Sequence, residues 1–343
     1  MPFSNSFSTN MNNRPTVLEL CAGGGGQTIG LENAGFECAA AVEIDSHACQ
    51  TLRLNRPDMR VIEDDIRAIR GNDFAGVDVV SAGVPCPPFS IAGRQLGADD
   101  DRDLFPEALR IIREVSPRAV MLENVPGFAA SKFAPYRESL IRHLKRLGYR
   151  VGWRVVQSAD YGVPQLRPRF LLVGMLAEYS DFFQWPSRMP EASPTVGETL
   201  CDLMASNGWK GAIAWRSKAN RIAPTIVGGS KKHGGPDLGP TRAKAQWRGL
   251  GVDGMGIANE VPGADFPVDG FPRLTVRMVA RLQSFPDNWE FSGRKTAAYR
   301  QVGNAFPPLV AEAMASAIRF ALNREANQYN EHQELVSGLV SEA

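Results

Sequence analysis

The sequence predicts an α/β fold in which a mostly parallel sheet, covered by helices on both faces, is followed by a smaller irregular domain. In the first half of the chain, short apolar runs alternate with stretches of helical period. This is the pattern of strand–helix–strand units. After about Gln184 the chain becomes rich in Gly, Pro, Trp and Arg, and no helical period is sustained until Phe271. We therefore expect loops and short strands there.

Each element follows from its own residue pattern. Short runs of Val, Ile, Leu and Ala predict strands at 17–20, 39–44, 61–62, 77–80, 119–122 and 170–173. Apolar residues spaced three and four apart predict helices at 28–34, 104–114, 136–147, 275–283 and 309–322. The last of these helices is apolar enough to pack on the sheet of the first domain.

The charges are unevenly distributed along the chain. The sequence contains 38 Lys and Arg and 37 Asp and Glu. Between Trp209 and Leu250, however, nine basic residues accompany a single acid, Asp237. A basic segment on an otherwise acidic chain predicts a surface that binds a polyanion.

Composition also excludes several classes of protein. No run approaches the ~20 apolar residues that a membrane span needs. Residues 1–14, rich in Ser and Asn, predict a disordered tail and not a signal peptide. The five cysteines form no C-x-x-C pair and the four histidines are scattered, so we expect neither a disulfide framework nor a metal site. These features predict a protein of the reducing cytoplasm.

A glycine-rich loop follows the first predicted strand. Glycines let backbone N–H groups approach a ligand, and the helix that follows presents its positive end. The spacing Gly24-x-Gly26-x-x-x-Gly30 departs from the G-x-G-x-x-G of dinucleotide folds. It suits an adenosyl ligand better. The alternative is a tight turn that only packs a helix on the sheet.

Two acids beyond this loop are candidates for contacts with the same ligand. Glu43 lies 20 residues after Gly23, where a carboxylate can accept hydrogen bonds from ribose hydroxyls. Asp65 can accept from the amine of an adenine while Ile66 packs on the face of the ring. Alternatively, Asp65 and Ile66 belong to an ordinary loop.

Reactive side chains follow two further predicted strands. Cys86 lies between Pro85 and Pro87, in a rigid segment at the carboxyl edge of the sheet, where α/β proteins bind ligands. Glu123 comes directly after a buried strand, so apolar neighbours would suit its carboxyl group to share a proton with a substrate. The alternatives are a small buried hydrophobic residue for Cys86 and a helix cap for Glu123.

The segment 165–169, Gln-Leu-Arg-Pro-Arg, is predicted to be extended. Alternation places Gln165, Arg167 and Arg169 on one face, with Arg167 able to pair with an oxyanion or a carboxylate. The alternative is a solvated strand.

In this order, these segments resemble the motifs of the DNA (cytosine-5)-methyltransferases of the bacterial restriction–modification type. The resemblance extends from Val17 to about Ala321. The matching segments are Pro85-Cys86, Glu123-Asn124-Val125, Gln165-x-Arg167-x-Arg169, Arg273-Leu274-Thr275 with 281–286, and Gln301-Val302-Gly303-Asn304-Ala305.

The resemblance implies a Rossmann-like S-adenosylmethionine-dependent methyltransferase sheet with Cys86 as the nucleophile. Addition of a thiolate at carbon 6 of cytosine makes an enamine whose carbon 5 can attack the methyl group of S-adenosylmethionine. Glu123 would hold or protonate the ring nitrogen, and Arg167 would support the same site electrostatically. The family rotates its target base out of the duplex to reach such a pocket.

The resemblance also implies two sets of binding residues, and no metal. For the cofactor these are Leu20, Ala22, Gly23, Gly24, Gly26, Glu43, Ile44, Asp65, Ile66, Pro85, Leu104 and Asn304. For DNA they are Arg216, Arg221, Lys231, Lys232, Arg242, Lys244 and Arg248.

The implied domain organisation has five parts. Residues 15–184 are the catalytic and cofactor-binding domain, 185–296 the target-recognition domain, and 297–325 a segment that packs back on the catalytic domain. Residues 1–14 and 326–343 are tails. We expect a monomer that acts on double-stranded DNA, and a cognate restriction endonuclease, if there is one, acting separately.

Three positions depart from the family pattern. Pro87 stands where many members carry Gln, while Cys21 and Ile44 replace frequent aromatic residues. None of these changes removes a catalytic group. Two rival functions are a catalytically inactive DNA-binding homologue and a nicotinamide-dependent oxidoreductase, which the glycine spacing disfavours.

Overall fold

The sheet contains both parallel and antiparallel strands. The computed structural model describes residues 14–85, 103–229 and 235–323. Within them, seven strands have the order β3-β2-β1-β4-β5-β7-β6. Strands β1 to β5 pair in parallel, and β7 is antiparallel to both β5 and β6. The strands are β1 (Thr16–Leu20), β2 (Glu37–Glu43), β3 (Val61–Glu63), β4 (Val79–Gly83), β5 (Ala119–Asn124), β6 (Tyr149–Gln157) and β7 (Pro168–Leu176).

Helices cover both faces of this sheet, and the predicted α/β class is confirmed. Helices α3 and α4 contribute to the core on one face, and α11 to the core on the other. The helices are α1 (Gly26–Asn33), α2 (Ser46–Asn55), α3 (Phe105–Val115), α4 (Ala134–Arg146), α5 (Ala177–Ser180), α6 (Val196–Ala205), α7 (Ala212–Lys218), α8 (Thr241–Gly249), α9 (Val276–Leu282), α10 (Lys295–Asn304) and α11 (Pro308–Leu322).

Loops make up much of the chain after Gln184, as expected, but the expected absence of helices there is wrong, because α6, α7 and α8 lie in that region. These helices have ten, seven and nine residues, so the helical period hardly repeats within any of them. Their packing depends on a few large side chains, such as the buried Trp215 and Trp247. Strand β6 was not predicted either, because it lies at the sheet edge and exposes several residues.

Glycines in α1 let the C-terminal helix approach closely. A Cβ atom at Gly30 would lie 2.5 Å from the Cβ of Ala311, and one at Gly26 would lie 2.3 Å from the carbonyl oxygen of Phe306. Among the described residues, Lys295–Leu322 is the one helical stretch with the length and hydropathy of a membrane span, and 61% of that window is buried inside the structure. Many of its apolar residues pack in the protein core.

One acid is buried in the middle of this core. Glu19, in β1, has no exposed surface. Its carboxyl group accepts hydrogen bonds from Thr28 Oγ1 at 2.7 Å and from Gln27 Nε2 at 3.3 Å. Burial raises the pKa of Glu19 to about 8, even though both hydrogen bonds lower it. The side chain therefore keeps its proton at neutral pH.

Glu19 should make the stability of the fold depend on pH. In the folded protein the pKa of Glu19 lies above its ordinary value of 4.5, so the folded state holds this proton more tightly than the unfolded state does. The protonated Glu19 therefore contributes fully to the free energy of unfolding below pH 4.5, and this contribution is lost as the pH rises toward 8. Between these pH values the free energy of unfolding of the wild-type protein should fall by about 1.4 kcal/mol per pH unit because of Glu19. We expect Glu19→Gln to remove this decline, because glutamine cannot ionise. Urea unfolding at a series of pH values measures it. The control Glu37→Gln, at an exposed acid, should keep the wild-type dependence of unfolding free energy on pH. If Glu19→Gln also kept that dependence, a raised pKa for Glu19 would be contradicted.

Candidate active site at the carboxyl edge of the sheet

The parallel strands bring the predicted site residues to one edge of the sheet. Leu20 at the end of β1 pairs with Val42 of β2 and Ala82 of β4. Gly83, the last residue of β4, pairs with Glu123 of β5. Because parallel strands end on the same side, the loops after β1, β2, β4 and β5 all leave the sheet here.

The proposed nucleophile, Cys86, lies outside the described residues. The described chain reaches the exposed Pro85, two residues beyond the end of β4. At that strand end, a Cβ atom on Gly83 would lie 3.8 Å from Glu123 Oε2. The segment that leads to Cys86 therefore leaves the sheet beside the carboxyl group of Glu123.

Glu123 forms a shielded ion pair with Arg169. The Arg169 Nε atom lies 2.8 Å from Glu123 Oε1, and the two side chains are 9% and 13% exposed. The pairing follows from the antiparallel register, in which Glu123 faces Leu171 and the start of β7 therefore reaches the end of β5. Burial raises the pKa of Glu123, and the charges of Arg169 and Arg167 offset this only partly. A carboxyl group in this setting holds a proton more readily than an exposed one.

Arg167 has a different position from the one expected. It is 1% exposed. Its Nη1 donates to the carbonyl of Ile226 at 2.6 Å, and its Nη2 donates to those of Gly303 at 2.8 Å and Ala305 at 2.9 Å. The carboxylate pairing expected of Arg167 is made instead by Arg169, and Arg167 reaches Glu123 only through its charge.

Gln165 adds further hydrogen bonds between the segments that Arg167 connects. Its Oε1 accepts from the backbone N–H of Ile226 at 2.8 Å, and its Nε2 donates to Gln283 Oε1 at 3.0 Å. Gln283 in turn donates to the carbonyl of Val302 at 2.9 Å. The segment 165–169 thus joins the sheet to the chain near Ile226 and to the helices α9 and α10.

The expected ribose acceptor, Glu43, is anchored by backbone groups. Its Oε2 accepts from the N–H of Gly23 at 2.7 Å, and its Oε1 accepts from those of Ile44 and Asp45 at 2.8 Å each. A carboxylate has about four acceptor sites, so capacity for a hydroxyl group is left. Beside it, Ile44 is 66% exposed.

The glycines of the loop serve different purposes. Gly23 has φ of +58°, and no atom lies within 4 Å of the position its Cβ would take, so this glycine borders open space. A Cβ on Gly24 would lie 3.1 Å from the Cβ of Gln301, and Gly26 packs against Phe306. The turn-and-packing alternative therefore accounts for Gly24 and Gly26, whereas Gly23 remains suited to a ligand.

Trp289, which no motif in the sequence indicates, also holds this loop. Its Nε1 donates to the carbonyl of Gly24 at 3.0 Å, and a Cβ on Gly25 would lie 2.5 Å from its Cζ2 atom. The Arg56 guanidinium lies 5.0 Å from the indole centroid. A tryptophan 265 residues away from the loop gives no sequence signal of this contact.

The remaining candidates for the cofactor are distributed around the same edge. Asp65 caps a short 3-10 helix at 66–68 through the N–H of Arg67, and also pairs with the Arg67 guanidinium at 3.0 Å. Ile66 is 3% exposed. Leu104 precedes α3 and is half-buried, and the exposed Asn304 donates to the carbonyl of Gly229 at 3.1 Å. Leu20 and Ala22 are buried at the end of β1.

The expected DNA-binding residues differ in their surroundings. Lys244 pairs with Asp237 at 2.8 Å, so its charge is compensated. Lys231 and Lys232 lie outside the described residues. The others are exposed: Arg216, Arg221, Arg242 and Arg248. In the described part of the chain, no group of three or more His, Cys, Asp or Glu is arranged to hold a metal ion.

Comparison with known proteins gives the family. The model of the C-5 cytosine-specific DNA methylase family matches residues 15–319. The chain belongs to this family. This C-5 cytosine-specific DNA methylase is 54% identical over 315 residues to the Type II methyltransferase M.NaeI of Lentzea aerocolonigenes, with 90% of this chain and 76% of that protein covered. It is 51% identical over 312 residues to the Type II methyltransferase M.NgoMIV of Neisseria gonorrhoeae, with 90% and 99% covered.

The resemblance seen in the sequence is thereby confirmed, and the protein is a DNA cytosine-5 methyltransferase of the bacterial restriction–modification type. Solved structures agree on the fold of this methylase. A mutant of DNMT2 from Spodoptera frugiperda superposes with a TM-score of 0.61 at 18% identity, covering 89% of this chain and 99% of that one. Dnmt2 of S. pombe gives 0.60 at 19% identity, covering 91% and 100%.

The buried Arg167 of the methylase should be a major source of stability. We expect Arg167→Lys to lower the melting temperature by about 5–10 °C, because a single ammonium group cannot replace the guanidinium donors to three carbonyls. Arg169→Lys keeps an ion pair with Glu123 and should cost less. Differential scanning calorimetry compares the two variants. Wild-type melting of Arg167→Lys would show that these hydrogen bonds do not hold the segments together.

Proposed function

We propose that this enzyme transfers a methyl group from S-adenosylmethionine to carbon 5 of cytosine in a specific double-stranded DNA sequence, through a covalent adduct with Cys86 on a base rotated out of the duplex. The observation that carries the proposal is the shielded Glu123–Arg169 pair beside the strand end that leads to Pro85 and Cys86. Family membership supplies the reaction class.

Cys86 is proposed to attack carbon 6 of the extruded cytosine. Electron density then moves into the ring, and the negative charge that develops has to be neutralised at the ring nitrogen between the carbonyl and the amine. Glu123 is suited to this role because burial raises its pKa, which favours the protonated form more than in an exposed carboxyl group. Loss of the carbon 5 proton after methylation would expel the thiol by elimination.

Arg169 and Arg167 support Glu123 in different ways. Arg169 touches the carboxyl group and fixes its orientation at the edge of the sheet. Arg167 contributes its charge from a distance, while its hydrogen bonds hold the surrounding segments. We therefore extend the proposed catalytic set of Cys86, Glu123 and Arg167 to include Arg169.

The methyl donor is proposed to bind along the edge formed by β1 and β2. When bound, S-adenosylmethionine supplies an electrophilic methyl group on sulfur. The open space at Gly23, the acceptor capacity of Glu43 and the exposed side chain of Ile44 fit an adenosyl group, in which a polar ribose adjoins a flat apolar base. Asp65, Ile66, Pro85, Leu104 and Asn304 are proposed to complete the pocket with the β1 loop.

The domain boundaries, surroundings and partners expected from the sequence become part of this proposal. Residues 15–184 would carry the chemistry, 185–296 the recognition of DNA, and 297–325 would complete the first domain. The seven basic residues expected to bind DNA would contact it, whether they lie inside or outside the described ranges. The contribution of Lys244 would be smaller, because Lys244 pairs with Asp237. The enzyme would act as a cytoplasmic monomer, separately from any cognate endonuclease.

A labelling experiment tests the reaction. Wild-type protein should transfer labelled methyl from S-adenosylmethionine to double-stranded DNA, and Cys86→Ala should abolish the transfer because the ring is no longer activated. Cys201→Ala, at a free cysteine of α6, is the matched control and should remain active.

Covalent trapping locates the adduct. A duplex carrying 5-fluorocytosine at the methylated position, identified by bisulfite sequencing of a genome expressing the protein, should form a complex that survives denaturant. Mass spectrometry should find the adduct on Cys86. Normal turnover by Cys86→Ala, or an adduct on another residue, would end the proposal.

Glu123→Gln tests the proton donor. We expect the rate of methyl transfer in a single turnover to fall by about 100-fold or more, because an amide cannot deliver the proton. Affinity for duplex DNA, measured by fluorescence anisotropy, should stay near the wild-type value. Glu138→Gln, at an exposed acid on α4, is the control. Full activity of Glu123→Gln would exclude this role.

A further inference from the structure

One aromatic ring in the proposed DNA-binding region contacts two cations. The Lys218 ammonium lies 4.1 Å from the centroid of Phe271, and the Arg248 guanidinium carbon lies 4.9 Å from it. Both distances are within the range in which a ring attracts a cation. Phe271 therefore holds two exposed positive charges near each other at the ends of α7 and α8.

Two glycines at the end of α8 make room for these side chains. A Cβ on Gly251, which has φ of +72°, would lie 3.2 Å from the Lys218 Cδ atom. A Cβ on Gly249 would lie 3.1 Å from Arg221 Nη2, so the turn also accommodates a third cation. The turn is fixed by Trp215, whose Nε1 donates to the carbonyl of Gly251 at 3.0 Å.

In the described part of the chain, none of these three cations forms an ion pair with an acid. Across the residues that the structure describes, no carboxylate lies within 4.0 Å of Lys218, Arg221 or Arg248 in an ion pair. The neighbouring acid Asp253 pairs with Arg273 at 2.7 Å and reaches Arg248 only through its charge. Like charges held together without a counter-ion repel one another, and a bound anion relieves that repulsion.

We propose that Lys218 and Arg248, both held by Phe271, bind a backbone phosphate of double-stranded DNA together with the neighbouring Arg221. The inference rests on the proposed function and names the ligand group at one part of its DNA surface. A phosphodiester group suits this cluster, because guanidinium and ammonium groups bind phosphate oxygens whatever the base sequence of the DNA. Exposed cations fixed on a ring therefore contribute affinity and position without reading bases.

The chain also limits where this phosphate lies. Arg221 is five residues before Ile226, which binds Gln165 and Arg167 next to the active site. Five extended residues span at most about 18 Å. With the reach of the side chains added, the contacted phosphate should lie within about one helical turn of the flipped cytosine.

Salt dependence of binding tests this site with the full-length protein. The probes are a duplex carrying the methylated sequence found by bisulfite sequencing and a scrambled duplex. Lys218→Gln and Arg248→Gln should each weaken binding of both duplexes by about 5–10-fold near 0.1 M salt and reduce the slope of log K against log salt, by at most about 0.9, the contribution of one neutralised phosphate. Lys145→Gln, at an exposed cation of α4, should leave affinity and slope unchanged.

Phe271 variants test whether the ring organises the cations. Phe271→Leu should weaken binding of both duplexes by about two- to fivefold while the salt slope stays near the wild-type value, because no charge is removed. Phe271→Tyr should restore affinity. Thermal melting shows whether each variant is folded. If Phe271→Leu does not fold, the affinity of Phe271→Tyr still tests the role of the ring.

The outcomes separate this proposal from the proposed function. If wild-type protein methylates DNA but Lys218→Gln and Arg248→Gln bind like wild type, the phosphate site is wrong and the enzyme assignment stands. A loss confined to the methylated sequence would mean base reading and would overturn the site as well. If wild-type protein transfers no methyl group to DNA, the proposed function itself fails.

Discussion

A single buried guanidinium connects three parts of this protein that are far apart in the sequence. Arg167 donates to carbonyls of Ile226, Gly303 and Ala305, and it stands two residues before the arginine that pairs with Glu123. Burying an arginine is costly unless its donors are hydrogen-bonded, and the three bonds from Nη1 and Nη2 favour the one arrangement of these segments that provides them. The position of the sheet edge that carries Glu123, relative to the proposed DNA-binding region, depends on that arrangement.

Arginines in this molecule have distinct physical roles that their sequence pattern does not separate. Arg167 and Arg169 belong to one motif, yet the first satisfies backbone carbonyls and the second binds a carboxyl group. Arg281 pairs with Asp202 and Asp287 and so connects α9 to α6 and to the following loop. In contrast, Arg248 faces an aromatic ring at the surface. Burial and the nearest acid, rather than charge alone, decide which arginines are available to a ligand.

Much of the sheet could be predicted from the sequence, because β1, β2, β4, β5 and β7 are largely buried strands with apolar runs, and even the short, partly exposed β3 contains the apolar pair Val61-Ile62. The edge strand β6 and the short helices α6 to α8 could not, since their packing depends on a few residues and on distant partners. In the site, the motifs identified Glu123, but alternation alone could not tell which arginine would reach it. That choice is set by the antiparallel register of β7 against β5.

The close packing of α11 on the glycines of α1 has a consequence for synthesis of the chain. Ribosomes make α1 and the loop before it among the first elements, while their covering helix emerges nearly three hundred residues later, starting at Pro308. Domains generally fold as units during translation, but this one must wait, because the groove beside Gly26 and Gly30 stays uncovered until then. A nascent polypeptide therefore exposes this groove until Pro308–Leu322 has left the ribosome, and we expect any product that stops before α11 to lack the cover of α1.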